Sequence, residues 1–119
     1  MRIATIALLP LAAIPLLCVA CGGSIPPPND EYSAAQADVG RAEAGGAPGV
    51  PDAKLHLQLA QEDLAKSKTL IDQDNKRAAD LIAVARVEAQ LAFSLAKQQM
   101  AEDQARHAQG DLAKVKGGQ

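Results

Sequence analysis

The stretch from residue 75 to residue 96, NKRAADLIAVARVEAQLAFSLA, decides the fold. Ala78, Ile82, Ala85, Ala89, Ala92 and Ala96 recur at alternating intervals of four and three. That spacing keeps side chains on one stripe of an α-helix, the seam of a coiled-coil-like contact. The stripe is almost entirely Ala, with Leu81, Val84, Leu91 and Leu95 flanking it. Alanine buries little surface by itself, so such a seam is useful only where another helix approaches closely. The stretch therefore predicts a helix paired with a neighbour.

Working toward the N-terminus, a second stripe supplies that neighbour. Ala53, Leu57, Ala60, Leu64, Ser67 and Ile71 step by the same intervals, broadened by Leu55, Leu59 and Leu70. Pro51 suits a first helical position, and Asp52 suits the positive end of the helix dipole. This predicts a helix from Pro51 or Asp52 to about Gln73, with Glu62 and Lys66 as a favourably oriented i,i+4 pair. The polar run Asp72-Gln73-Asp74-Asn75 separates the two patterns, and the later helix restarts at about Asn75 and runs to Lys116. The expectation is an all-α, antiparallel helical hairpin. The break holds neither Gly nor Pro, which leaves one uninterrupted helix over 52–116 as the alternative. At 1.5 Å per residue the later helix, at roughly 63 Å, outruns its partner of roughly 33 Å beyond about Ala96. Gly110 is expected to fray the extension, and residues 117–119 form a tail.

Further back, Ala34, Ala35, Ala37, Val39 and Ala42 give residues 31–44 a weak apolar face, a short additional helix capped by Asn29 or Asp30. Gly40 within it costs about 1 kcal/mol relative to Ala. Gly45-Gly46-Ala47-Pro48-Gly49-Val50-Pro51 breaks that helix. Residues 21–30 carry Pro26-Pro27-Pro28 and read as an extended tether, with the helical domain spanning 31–116. Residues 1–20 read as a secretory signal: Arg2 is its only charge, and an apolar run from Ile3 ends at small Ala20 before Cys21.

Val19-Ala20-Cys21 resembles three of the four positions of the bacterial lipobox, with Cys18 where Leu is usual. The resemblance implies cleavage between Ala20 and Cys21 and lipidation of Cys21. Two or more acyl chains hold a protein on a membrane stably, at about 0.8 kcal/mol per buried CH₂. Gly22 stands where the family uses Asp for inner-membrane retention. The implied address is the outer membrane, facing the periplasm.

Composition narrows the chemistry. Without Arg2 the mature chain has 11 Lys and Arg against 14 Asp and Glu, which argues against a nucleic-acid partner. Loss of Cys18 and acylation of Cys21 leave no free thiol. Tyr32 and Phe93 are the only aromatic residues, so the core is built from Ala, Leu, Ile and Val. A core that thin supplies only a few kcal/mol in a small domain, and self-association is an expected remedy.

With the hairpin in view, residues 34–96 resemble the small bacterial lipoproteins grouped as domain of unknown function 4398. The resemblance rests on an Ala-rich short helix, the break Gly46-Ala47-Pro48, Ala60 with Leu64, the turn at Asp74-Asn75, and the spaced alanines Ala78, Ala85, Ala89 and Ala92. It implies an exported helical envelope protein, with no catalytic residues to carry over.

The residues themselves point the same way. His56 and His107 lack a convergent carboxylate cluster and read as solvated helix residues, so no metal or cofactor is expected. Glu62-Asp63, Asp72/Asp74 and Glu102-Asp103 are helix or turn carboxylates pointing into water, without the apolar cleft that acid–base catalysis requires. No enzymatic activity and no small-molecule substrate are expected. Gln98, Gln99, Met100, Glu102, Asp103 and Arg106, with Ala101, Ala105 and Ala108, form a candidate surface for a protein partner or for self-association. The function expected is that of a lipid-anchored scaffold or adaptor. A structural tether between outer membrane and peptidoglycan is the first alternative, and a small ligand-binding envelope protein the second.

Overall fold

The computed structural model describes residues 24–118. Its elements in order are α1 (Asn29–Ala44), a short 3-10 turn (Ala47–Gly49), α2 (Pro51–Leu70) and α3 (Asn75–Gly117). The described residues are all-α, and α2 and α3 form the expected antiparallel hairpin. Cys21, Ala20 and the signal stretch 1–20 lie outside the described residues.

Contacts across the helices fix their directions. Asn75 Nδ2 donates to the Ile25 carbonyl, Arg86 meets Asp38, and Phe93 lies against Gly45, so α1 runs parallel to α3. Helix α2 joins α3 through the short turn 71–74, His56 meets Glu88, and Asp52 borders one notch with Gln98, so α2 runs antiparallel to α3 and hence to α1. The short first helix thus completes an up–down–up bundle instead of covering the far end of α3.

The core follows the two stripes closely. Ala78, Ile82, Ala85, Ala89, Ala92 and Ala96 of α3 are all buried. Ala53, Leu57, Ala60, Leu64 and Ser67 of α2 face them, and Ala35, Val39 and Ala42 of α1 close the third side. Ser67 Oγ donates to the Leu64 carbonyl at 2.8 Å, which satisfies the one hydroxyl in the seam. The larger flanking residues do not complete the core. Leu55, Leu59, Val84 and Leu91 are exposed, and Leu70, Leu81 and Leu95 are half-buried.

Several boundaries differ from the sequence expectation, each for a local reason. Helix α1 begins at Asn29, so neither Asn29 nor Asp30 caps it, and no side chain does. The preceding Pro28 is buried and its carbonyl accepts from the Tyr32 N–H at 3.0 Å, while Asp30 and Glu31 sit at the positive end of the dipole. Within the expected tether the Ile25 carbonyl and buried Pro28 contact the bundle, while Pro26 and Pro27 stay exposed. Helix α2 stops at Leu70, three residues early. Asp72 takes φ +70°, a left-handed conformation that Asp tolerates better than most residues, and its N–H bonds Asn75 Oδ1 at 2.8 Å. Asp74 Oδ1 then accepts from the Arg77 N–H at 3.0 Å and caps α3. That turn excludes the uninterrupted 52–116 helix. Gly110 does not fray α3, which continues through Gly117, a residue expected in the tail.

Overpacking the seam tests this architecture. Ala89→Leu is expected to cost about 1–3 kcal/mol, because neither facing helix can retreat without opening its other contacts. The control Ala83→Leu, at an exposed position on the same helix, should leave thermal melting unchanged.

Candidate functional site

The predicted surface occupies α3 just past the N-terminal end of α2. Gln98, Gln99 and Glu102 border a notch of about 90 Å³ with Val50, Asp52 and Leu95. Gln98 Nε2 donates to Glu102 Oε1 at 2.9 Å, and Gln99 Nε2 donates to Asp103 Oδ1 at 3.2 Å. Arg106 also donates to Asp103. These i,i+3 and i,i+4 partners lie on neighbouring turns and bind the segment to itself. Met100, turned about 100° from Gln99, stands exposed on another face. The structure thus brings Gln99, Asp103 and Arg106 together and leaves Met100 apart. The Arg106 hydrogen bond holds the Asp103 carboxyl below its usual range, despite some desolvation acting the other way. From Gln104 to Gly118 every side chain is exposed.

A second cluster had no counterpart in the sequence expectation. Asp38 is only 4 % exposed, on the face of α1 that meets α3. One carboxylate oxygen accepts from Arg41 on the same helix, and the other accepts from Arg86 Nε of α3 at 3.0 Å. The only local signal is its position between Ala35 and Ala42 on the α1 stripe; Arg86 is distant in sequence. Both carboxylate oxygens are thereby engaged by guanidinium groups in charge-assisted hydrogen bonds, of which the Arg86 bond ties α1 to α3. Asp38, Arg41, Gln90 and Phe93 border an open recess of about 260 Å³, slightly below the ordinary range of ligand pockets, ~300–1,000 Å³.

His56 was expected to be solvated. It is half-buried instead, with Nδ1 2.5 Å from Glu88 Oε2 across the α2–α3 contact. His107 is exposed on the extension and far from it in the chain. Among the described residues, no three His, Cys, Asp or Glu side chains converge in a metal-binding group. Gly45 is required for close approach: a Cβ there would lie 2.6 Å from the Phe93 ring.

The two polar clusters make different predictions. Arg86→Ala leaves Asp38 one partner and is expected to cost about 1–3 kcal/mol in a urea melt. Adding Arg41→Ala strands the buried carboxylate, and the double variant should lose about 3–5 kcal/mol. On the extension, Asp103 binds Arg106 above the usual carboxylate range and releases it as pH falls through its depressed value. Nuclear magnetic resonance titration of that carboxyl should give a midpoint below that of an unpaired Asp, moving upward in Arg106→Gln.

No family model matches the chain, and no curated protein or solved structure matches it.

Proposed function

We propose that the chain is a lipid-anchored, non-enzymatic bacterial envelope protein that acts as a scaffold or adaptor. The observation that carries the proposal is the division of α3: one face of its first half is buried in the bundle, and from Gln104 onward none of the described residues covers it. A helix held rigidly at one end and bare at the other is suited to presenting a surface.

The anchor belongs to the same reading. It is supported by the apolar run ending at Ala20 and Cys21, and by the resemblance to domain of unknown function 4398 lipoproteins. Ile25 is docked beside Asn75, at the α2–α3 turn. Four residues span at most about 14 Å, so a lipid on Cys21 would hold that turn close to the headgroups. The free end of α3 would then point away from the membrane, with the whole helix about 64 Å long at 1.5 Å per residue. Among the described residues no helix is long and apolar enough to cross a membrane.

The test is the mass of the mature N-terminal peptide in membrane and soluble fractions. A peptide starting at acylated Cys21, lost in Cys21→Ala, is the expected result. An intact Met1 or an unmodified N-terminus at residue 21 overturns the anchor.

A further inference from the structure

Helix α3 carries a second periodic stripe, on the side turned away from α1 and α2. Val84, Val87 and Leu91 begin it, spaced by three and four, and all three are exposed. Ser94 and Gln98 continue the same alternation as polar positions, and Ala101, Ala105 and Ala108 follow. Leu112 and Val115 complete it, 61 % and 67 % exposed. Six large apolar residues of α3 are exposed, and five of them fall on this one line, Met100 being the exception. A heptad stripe facing water, polar only at Ser94 and Gln98, has the spacing of a coiled-coil seam.

We propose that a second copy of this chain supplies that strand, in parallel and in register, along residues 84–115. The proposal rests on the reading of α3 as a presenting helix and identifies what it presents to. Charge decides the occupant. In a parallel pair, each residue just before the first core position faces the partner residue five places later. Lys97 then faces Glu102 of the partner subunit, and Asp111 faces Lys116 of the partner subunit, opposite charges in both cases. Gln104 faces Gln109, Gln90 faces Leu95 and Ala83 faces Glu88, so no like charges meet in any repeat. For Lys97, Glu102 and Asp111 the present polar contacts lie within α3: Glu102 accepts from Gln98 Nε2 at 2.9 Å. Lys97 Nζ lies 5.4 Å from the Phe93 ring centre, and Asp111 accepts from Lys114 at 3.3 Å, exposed contacts of small worth. Glycine at position 110 lies opposite the seam, where it does not weaken the packing.

Of the residues singled out from the sequence, Gln98 and Glu102 belong to this interface. Gln99, Met100, Asp103 and Arg106 fall outside it. The central alanines let the helices approach closely but bury little, so the association is modest and sensitive to a single charge.

The experiment uses the full chain in mild nonionic detergent with Cys18→Ala and Cys21→Ala, which removes the native thiols and any dependence on the lipid anchor. Single cysteines are introduced as Ala101→Cys, Ala108→Cys or Val115→Cys, and oxidation is followed on a non-reducing gel. All three should form covalent dimers, whereas Ala113→Cys, on the outer face, should not. Glu102→Lys should reduce the yield several-fold, and adding Lys97→Glu should restore it. Leu112→Glu should abolish cross-linking while leaving the melting temperature of the bundle unchanged. Cross-linking at only one of the three seam positions would mean an antiparallel pair and overturn the proposal. Equal yields at Ala113→Cys, or no dimer at any position, would overturn it as well.

Discussion

Everything in this bundle depends on how closely α3 can be approached. Five of its six buried seam residues are alanine, each with a single methyl group between two backbones. Dispersion falls steeply with separation, so these methyls stabilise the fold only if α1 and α2 lie tight against them. The larger side chains sit where that approach leaves room: Leu57 and Leu64 on α2, Ile82 on α3, Val39 on α1. Gly45 is part of the same constraint, because the chain leaving α1 runs directly over the Phe93 ring. Close packing of small residues thus replaces the bulk that the chain lacks in aromatics.

A seam of similar methyls specifies closeness better than register. An Ala stripe shifted by one heptad still meets an Ala stripe, and the apolar contacts barely distinguish the two arrangements. Polar contacts do distinguish them. Asp38 is buried and reaches Arg86 in only one alignment of α1 on α3; sliding α1 by a turn, about 5.4 Å, separates them. His56 and Glu88 act in the same way for α2 on α3, and the Asn75 bond to the Ile25 carbonyl aligns the start of α1 with the start of α3. Three long-range polar contacts therefore fix what the small side chains leave loose.

These two kinds of information were unequally legible in the sequence. The stripes on α2 and α3 are periodic, local patterns, and every seam residue read from them is buried except Ile71, which lies past the end of α2 and is half-buried. The Asp72–Asn75 turn was legible as a polar interruption and α3 restarts at Asn75 as read, but the end of α2 was three residues off, because Asp72 takes a positive φ without a glycine to announce it. The Asp38–Arg86 pair was not legible. Two charged residues 48 positions apart carry no local mark, and most charges on an amphipathic helix are solvated. The direction of α1 was hidden for the same reason, since its own weak stripe fits either orientation. Of the candidate surface, its position on the free part of α3 was readable from the unequal helix lengths. The side-chain bonds that divide it into faces were not.

The outer stripe of α3 was hidden by the inner one. Two heptad patterns run along the same helix on different sides, so apolar residues occur all round it and no single face stands out from composition alone. Once the bundle claims Ala78 through Ala96, the remaining Val84, Val87, Leu91, Leu112 and Val115 become a pattern of their own. A stripe that stays exposed inside the bundle and continues with the same spacing beyond it is left unused by the core of one chain. Burial in the core ends at Ala96, yet the alternation of threes and fours continues to Val115. The later half of α3 has the periodicity of a packed helix without the neighbours, and that mismatch between sequence pattern and burial is what points beyond the single chain.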